Sequence, residues 1–411
     1  MALPTSSGNT SFDQSKLKSY LFPFILVTSL FFFWGLVHNL DPILIPHLRK
    51  AFTLSYLQSS LVDSAVFIAY FAMALPAGFV MRKYGYKSGI LLGLLLFGTG
   101  SLLFIPAANT REYVYFLGAL FIIASGLTFL ETAANPYITV LGKPESSEFR
   151  LNLSQSFNGV GAFIGPIIGA NLFFAESESA GNLDTVKYVY LVIAAVVFLV
   201  AILFMRTSLP EIKEEKLVTD KSQDTKPLFS HKNFTGAIIA QFFYVAAQVG
   251  IAALFINYCT EASSTITNAD ASYYLSISLM LFTLGRFAGT ALMKRIAPNK
   301  LLTVYALINI ILCAVVVFGE GVFSVYSLMA VFFFESIMFP TIFALGVKNL
   351  GHNTKNGASF IIMSIAGGAF MPYVMGLLSE KSTAQSYIIP LFCFVIVAWY
   401  GWRGYRTTSA K

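Results

Sequence analysis

The segment FLETAANPYITVLG at residues 129–142 is informative about the fold because a variant of it, FFESIMFPTIFALG, occupies residues 333–346. Each copy places a glutamate inside an apolar run, follows it five residues later with a proline, and ends in Leu-Gly. The two glutamates, Glu131 and Glu335, are 204 residues apart (335 − 131) in a chain of 411. Internal repeats of half the chain length are typical of membrane transporters, so the sequence predicts two related halves.

The composition is that of a membrane protein. Aliphatic, aromatic and cysteine residues make up 56% of the chain, only 11% is charged, and the mean hydropathy is +0.71. A helix needs about 20 apolar residues to cross about 30 Å of hydrocarbon. The sequence therefore predicts an all-α membrane protein with twelve transmembrane helices in two six-helix bundles. The apolar runs lie at about 20–48, 57–80, 87–107, 112–141, 153–175, 186–206, 235–258, 272–293, 301–320, 322–347, 358–378 and 386–404.

The distribution of basic residues predicts the orientation. With the N-terminus inside, 21 of the 27 Lys and Arg fall in segments on the cytoplasmic side, as the positive-inside rule requires. We therefore expect a multi-pass protein of the inner (cytoplasmic) membrane with both termini in the cytoplasm. The net charge of +7 then follows from orientation rather than from a nucleic-acid partner. The first nineteen residues are polar, so we expect no cleaved signal peptide.

A charged stretch divides the chain. Residues 209–234 mix Glu, Lys, Asp and Gln and cannot bury enough apolar surface to fold alone. We expect an N-terminal six-helix bundle at 1–208, a cytoplasmic linker at 209–234 and a C-terminal six-helix bundle at 235–411. The three cysteines lie in three different spans and are expected to be buried free thiols. The spans contain no HExxH motif, nucleophile–base pair or metal-ligand cluster, so the sequence predicts neither an enzyme nor a metal or cofactor site.

Carboxyl groups within the spans are candidates for cation coupling. A charged side chain at bilayer depth costs about 2.5–3.5 kcal/mol, so such a residue is a functional-site hypothesis by default. Asp41 and Glu131 are predicted to gain and lose the coupling cation as their surroundings change, because burial disfavours the charged form. Asp63 either joins them or simply reaches interfacial water. Glu335 either pairs with Arg286 or is a second titratable site.

Amides recur at helical spacing in the same spans. Such side chains both donate and accept hydrogen bonds, and aromatic faces can cover the C–H side of a sugar ring, so the set suits a polyhydroxylated ligand. The alternative is that the amides only tie helices together, at about 0.6 kcal/mol for each bond. A multidrug or metabolite exporter of the same fold would have a more apolar cavity. The predicted sugar-binding residues are Asn39, Glu131, Asn135, Gln155, Asn158, Gln241, Tyr244 and Gln248.

Several strings carry a resemblance to a known family. LIPH at 44–47, LETAANPYITVLG at 130–142, FRLNLSQSFN at 149–158, AQFFYVAAQ at 240–248 and PTIFALGVKNLG at 340–351 resemble the fucose:proton symporter family of the major facilitator superfamily. The resemblance implies the major facilitator fold and an importer of neutral sugars such as L-fucose, glucose or galactose, coupled to protons or, in some members, to sodium. It matches Glu131 to the sugar- and proton-linked glutamate, and Asn39, Gln155 and Asn158 to polar cavity positions. The turn with Gly78, Arg82, Gly85 and Lys87 resembles the superfamily's gating-loop motif.

The chain departs from that family at three positions. Members read Asn-Leu-Asn-Asp in the first span, whereas this chain reads Asn39-Leu40-Asp41-Pro42, which moves the aspartate one residue earlier. Ala252 stands in place of a tryptophan, and Asp63 in place of a neutral residue. Extra acids suit a hard cation, so sodium stays open beside the proton. We expect a monomeric sugar–cation symporter that works by alternating access, with its hexose unspecified.

Overall fold

The computed structural model describes residues 14–38, 52, 61–173, 183–210 and 227–406. These residues form helices and connecting turns, with no strand among them. The helices are α1 Gln14–His38, α2 Leu61–Tyr84, α3 Tyr86–Thr110, α4 Tyr113–Val140, α5 Ser147–Phe173, α6 Leu183–Arg206, α7 Lys232–Ala262, α8 Asn268–Leu292, α9 Pro298–Phe318, α10 Gly321–Val347, α11 Gly351–Ser379 and α12 Thr383–Gly404.

The helices match the twelve predicted spans. In the described part of the chain, ten helices are long and apolar enough to cross a membrane, and Leu21–Leu36 within α1 is a shorter apolar segment. The twelfth helix is α5, whose first turns carry the polar residues of the sequence FRLNLSQSFN. Several helices extend past the apolar runs, because backbone hydrogen bonding continues into the polar ends. Helix α7, for example, begins at Lys232 and ends at Ala262. The predicted fold class is confirmed.

Packing within the two bundles repeats. In the first bundle α1 packs on α5, α2 on α4 and α3 on α6, and in the second α7 packs on α11, α8 on α10 and α9 on α12. The bundles meet mainly through α2 with α11 and α5 with α8, with further contacts of α10 and α11 on α4 and α5. The repeated glutamates lie on α4 and α10, which are equivalent helices in this scheme.

The two helices that carry the repeated glutamates differ in continuity. Helix α4 runs unbroken through Pro136, whereas α10 is divided into Gly321–Glu335 and Met338–Val347. Proline has no N–H, so Pro340 cannot bond the carbonyl of Ser336 four residues earlier. That freed carbonyl accepts a hydrogen bond from Arg286 Nε of α8 at 2.8 Å. The break in α10 therefore has a partner in another helix.

Glycines let α1 approach α5 closely. A Cβ atom added at Gly161 would lie 2.1 Å from the carbonyl oxygen of Phe32, and one at Gly35 would lie 2.1 Å from that of Asn158. In the second bundle a Cβ at Gly367 of α11 would lie 2.3 Å from the carbonyl oxygen of Phe242 of α7. Small residues at helix crossings are how membrane helices pack without a hydrophobic driving force. The three cysteines, Cys259, Cys313 and Cys393, are free and buried, as predicted.

Candidate functional site

Glu131 lies on α4 between the bundles and is buried, with 5% of its surface exposed. Tyr70 of α2 donates its hydroxyl to Oε1 of Glu131 at 2.8 Å. The other carboxyl oxygen, Oε2, has no hydrogen-bond partner in the part of the chain that the structure describes. A buried acceptor without a partner costs about 1–3 kcal/mol. Glu131 is therefore held in place through one oxygen and has the other available for a proton or a ligand hydroxyl.

Three predicted sugar-binding amides lie beside this carboxyl on α4 and α5. Gln155 donates from Nε2 to Oδ1 of Asn135 at 3.2 Å, and both residues are buried. Asn158 is half-buried and donates from Nδ2 to the carbonyl of Phe31 in α1 at 3.1 Å. These bonds join helices, as the structural alternative requires. Each amide can form further hydrogen bonds beyond these, and Nδ2 of Asn135 has no partner among the described residues.

Helix α7 contributes a second polar face. Gln241 and Tyr244 are fully buried, yet neither amide atom of Gln241 nor the hydroxyl of Tyr244 has a partner within the described ranges. The Tyr244 ring packs edge-on against Phe339 of α10, with ring centroids 6.5 Å apart. Gln248, one turn beyond, is half-buried. Buried polar groups are normally hydrogen-bonded, so this unsatisfied face is suited to a hydroxyl-bearing ligand or to water.

Glu335 on α10 is completely buried, and both of its carboxyl oxygens lack partners among the described residues. Arg286 of α8 is near enough to interact electrostatically with Glu335 and Glu131. It forms no ion pair with either in the described chain: the ion pairs there are Lys187–Asp184 and Lys348–Glu148. Glu335 therefore has no ion pair with Arg286 among the described residues, and its role as a second titratable site stays a prediction.

Three predicted residues cannot be placed in this cluster. Asn39 and Asp41 lie outside the described residues, between α1 and the beginning of α2. Asp63 belongs to the first turn of α2, but its side chain is outside what the structure describes. The consequence of the one-residue shift of Asp41 therefore stays an expectation.

The four predicted gating-loop residues lie at the junction of α2 and α3. A Cβ atom at Gly78 would lie 2.5 Å from Oγ of Ser359 in α11, so α2 and α11 touch there. Gly85 has a φ of 86°, a conformation that glycine adopts without strain. Lys87 donates to the carbonyls of Met205 and Thr207, at 3.0 and 2.9 Å, and so joins α3 to the end of α6.

The fourth gating-loop residue is Arg82 in the last turn of α2. It is exposed, and its guanidinium lies 5.7 Å from the centre of the Phe79 ring. The four residues therefore differ in what they contact, and the link to the other bundle is made at Gly78.

The bundles are closed against each other at one end of the molecule. We call it the basic end, since Arg82, Lys143, Lys294, Arg295 and Lys348 lie there. Lys348, just after α10, donates to Oε1 of Glu148 on α5 at 2.7 Å, and Glu148 is 2% exposed. Asn152, one turn along α5, donates to Oγ1 of Thr341 on α10 at 3.1 Å. Polar contacts thus bridge the bundles just beyond the candidate site.

Replacing Lys348 with Gln is expected to destabilise the protein by about 1–2 kcal/mol. The reason is that buried Glu148 would lose its counter-charge, while the partial exposure of Lys348 keeps the loss below that of a fully buried pair. Lys348→Arg should retain most of the stability. Thermal unfolding in detergent measures the change, and Lys300→Gln, at an exposed position of the basic end, is the matched control. Equal melting temperatures for Lys348→Gln and the control would show that the ion pair contributes nothing.

The sequence does not predict the observed roles of two site residues. Tyr70 is absent from the predicted site, although it follows Asp63 by seven residues and so lies on the same face of α2 two turns later. Arg286 is predicted only as one candidate partner of Glu335, whereas its bonds go to backbone and amide oxygens on α5 and α10. Hydroxyl and guanidinium groups inside apolar spans were the available signals.

A multi-pass helical bundle with two repeated halves, and with carboxyl and amide groups buried where they meet, defines a membrane transporter. Residues 24–372 match the family model of the Major Facilitator Superfamily, and the chain belongs to that family.

Named relatives and a solved structure are similar over nearly the whole chain. The L-fucose-proton symporter of Escherichia coli (strain K12) is 40% identical, over 94% of this chain and 93% of its own. A glucose/galactose transporter of Brucella abortus biovar 1 (strain 9-941) is 36% identical, over 96% and 97%. The crystal structure of FucP in the outward conformation superposes with a TM-score of 0.86 at 38% identity, covering 96% of this chain and all of that one. The predicted resemblance to the fucose:proton symporter family is confirmed.

Proposed function

We propose that this protein imports a neutral hexose-type sugar together with a proton by alternating access. The observation that carries the proposal is Glu131, a buried carboxyl with one oxygen bonded to Tyr70 and the other unpartnered among the described residues. Asn135 of α4 and Gln241 of α7 also carry polar atoms that have no partner among the described residues. The names of the two relatives, a fucose–proton symporter and a glucose/galactose transporter, agree with this chemistry.

Each residue has a role in the proposed cycle. Glu131 binds the proton and accepts a sugar hydroxyl, and Asp41 is its protonation partner; Asp63 and Glu335 are further candidates for cation coupling. A charged carboxylate in a closed, low-dielectric site is unfavourable, and protonation of Glu131 removes that charge. The protein with proton and sugar bound therefore reorients more easily than the protein with an unprotonated Glu131. The amides then contact the sugar. This set comprises Asn39, Asn135, Gln155, Asn158, Gln241, Tyr244 and Gln248.

Rocking of the two bundles would open the site to one side at a time. The bundles would comprise residues 1–208 and 235–411, joined by the linker predicted at 209–234, of which residues 232–234 form the start of α7. We place the protein in the inner membrane with its basic end facing the cytoplasm. The Lys348–Glu148 pair then closes the cytoplasmic side of the site. At the same end Gly78 would let α2 slide against α11, and Arg82, Gly85 and Lys87 complete the proposed gating loop. Each step needs only one chain, so a monomer suffices.

Counterflow in proteoliposomes tests the proposed substrate class. Vesicles loaded with unlabelled D-glucose, D-galactose or L-fucose should take up the same labelled sugar, while labelled amino acids and lipophilic cations should enter no faster than they enter protein-free liposomes. Imposed proton and sodium gradients, applied separately, discriminate the two coupling ions, and the proposal expects only the proton gradient to drive accumulation. Failure of the wild-type protein to exchange any hexose would refute the proposal.

A further inference from the structure

The guanidinium of Arg286 joins the two bundles at the level of the candidate site. It is 5% exposed and lies 4.5 Å from the centre of the Phe282 ring on its own helix. Nη1 donates to the backbone carbonyl of Gln155 in α5 at 2.8 Å, and Nε donates to the carbonyl of Ser336 in α10 at 2.8 Å. The planar fork of arginine can make both bonds at once, whereas the ammonium group of lysine has no such fixed geometry. Arg286 thus holds α5 against the break in α10.

The same guanidinium also faces two side-chain amides that we assign to sugar binding. Nη1 lies 3.5 Å from Oε1 of Gln155 and 3.4 Å from Oδ1 of Asn158. These contacts are long and individually weak. Arginine has only donors, so an amide beside it is favoured with its oxygen turned toward the guanidinium. At their other ends, Gln155 donates to Asn135 and Asn158 donates to Phe31.

We infer that Arg286 is a positioning residue for sugar recognition, contributed by the C-terminal bundle to the amides of the N-terminal bundle; the inference rests on the proposed function. Each amide is held at both ends, with its oxygen toward Arg286 and its nitrogen toward α4 or α1. What stays free on each is the second N–H and one lone pair of the oxygen. Gln155 and Asn158 therefore meet the sugar mainly as N–H donors to its hydroxyl oxygens.

A fixed donor pattern discriminates between sugars that differ in the direction of one hydroxyl. A site built to bond a particular hydroxyl loses a bond, and leaves its own group unpaired, when that hydroxyl points elsewhere. If Arg286 is removed, both amides can rotate and satisfy either epimer. The inference therefore predicts a loss of selectivity as well as of affinity.

The test is the affinity ratio for D-glucose and D-galactose, measured by counterflow competition with wild type, Arg286→Gln, Arg286→Lys and the exposed control Arg295→Gln. Arg286→Gln should weaken binding of the preferred sugar about tenfold and bring the ratio toward equality. Arg286→Lys should change the ratio in the same direction by less, and Arg295→Gln should match wild type. Should Arg286→Gln fail to fold, the lysine variant, which keeps the charge, provides the measurement.

A merely structural role gives a different result. Partial unfolding lowers the active fraction for both sugars equally and leaves their affinity ratio unchanged. An unchanged ratio in the folded variants, checked by thermal unfolding, would therefore overturn the inference while leaving the proposed function intact. The proposed function fails separately, when the wild-type protein exchanges no hexose at all.

Discussion

Glu131→Gln is expected to abolish accumulation of sugar against its gradient, while the variant still folds. Glutamine has nearly the same shape and its Oε1 can still accept the Tyr70 hydroxyl, which now bonds Glu131 at 2.8 Å. It cannot gain or lose a proton at neutral pH, so sugar movement is no longer tied to the proton gradient. The internal sugar concentration should therefore stop at the external value. Uptake of labelled hexose into proteoliposomes with an imposed pH gradient measures this loss.

The control for this variant is Glu320→Gln, the same substitution at an exposed position before α10. It should accumulate sugar as the wild type does. Counterflow needs no net proton movement, so Glu131→Gln should retain exchange if the sugar is still bound. Accumulation at the wild-type level by Glu131→Gln would refute the assignment of Glu131 as the coupling group.

Gly161→Leu is expected to destabilise the folded protein strongly. Its Cβ alone would lie 2.1 Å from the carbonyl oxygen of Phe32 and 2.8 Å from the backbone nitrogen of Leu36, and neither backbone atom can move without separating α1 from α5. Overpacking in a well-packed core costs about 1–3 kcal/mol, and occasionally more. A clash with backbone belongs at the upper end, which corresponds to about a hundredfold loss of folded over unfolded protein. The fraction that elutes as a single species from a gel-filtration column in detergent measures it.

Gly118→Leu provides the matched control. Gly118 lies on α4 with nothing within 4 Å of an added Cβ, and it is exposed on the surface of the bundle. The added leucine would point away from the protein there, so yield and thermal stability should equal those of the wild type. If both leucine variants behaved alike, the close contact of α1 with α5 would not be what limits folding.

Hydropathy and repetition were sufficient to predict the helices. Lipid cannot form hydrogen bonds with backbone polar groups. A long apolar run that spans the membrane therefore forms a helix, unless the chain forms a closed β-barrel. The ends of α3 and α7 differ from the apolar runs by a few residues because polar residues continue a helix beyond the hydrocarbon. The relation of Glu131 to Asn135 also follows from sequence, since residues four apart share one face of a helix.

Contacts between distant helices could not be obtained in the same way. The bond from Tyr70 to Glu131 joins residues 61 positions apart, and the Lys348–Glu148 pair joins residues 200 positions apart. Neither follows a periodic pattern, because each depends on how far one helix slides along another. Arg286 shows the same difficulty. Its charge alone suggests a carboxylate partner, whereas its Nε donates to the carbonyl of Ser336 that Pro340 leaves free.

In the proposed cycle, protonation of buried carboxyl groups is tied to sugar binding. Proteoliposomes with a weakly buffered exterior and no imposed gradient reveal this link when a pH electrode follows the medium as sugar is added. A transient alkalinisation is expected on adding the transported hexose to wild-type vesicles, abolished by a protonophore and absent with Glu131→Gln. Sugar entry without any pH change, or an equal change with Glu131→Gln, would contradict it.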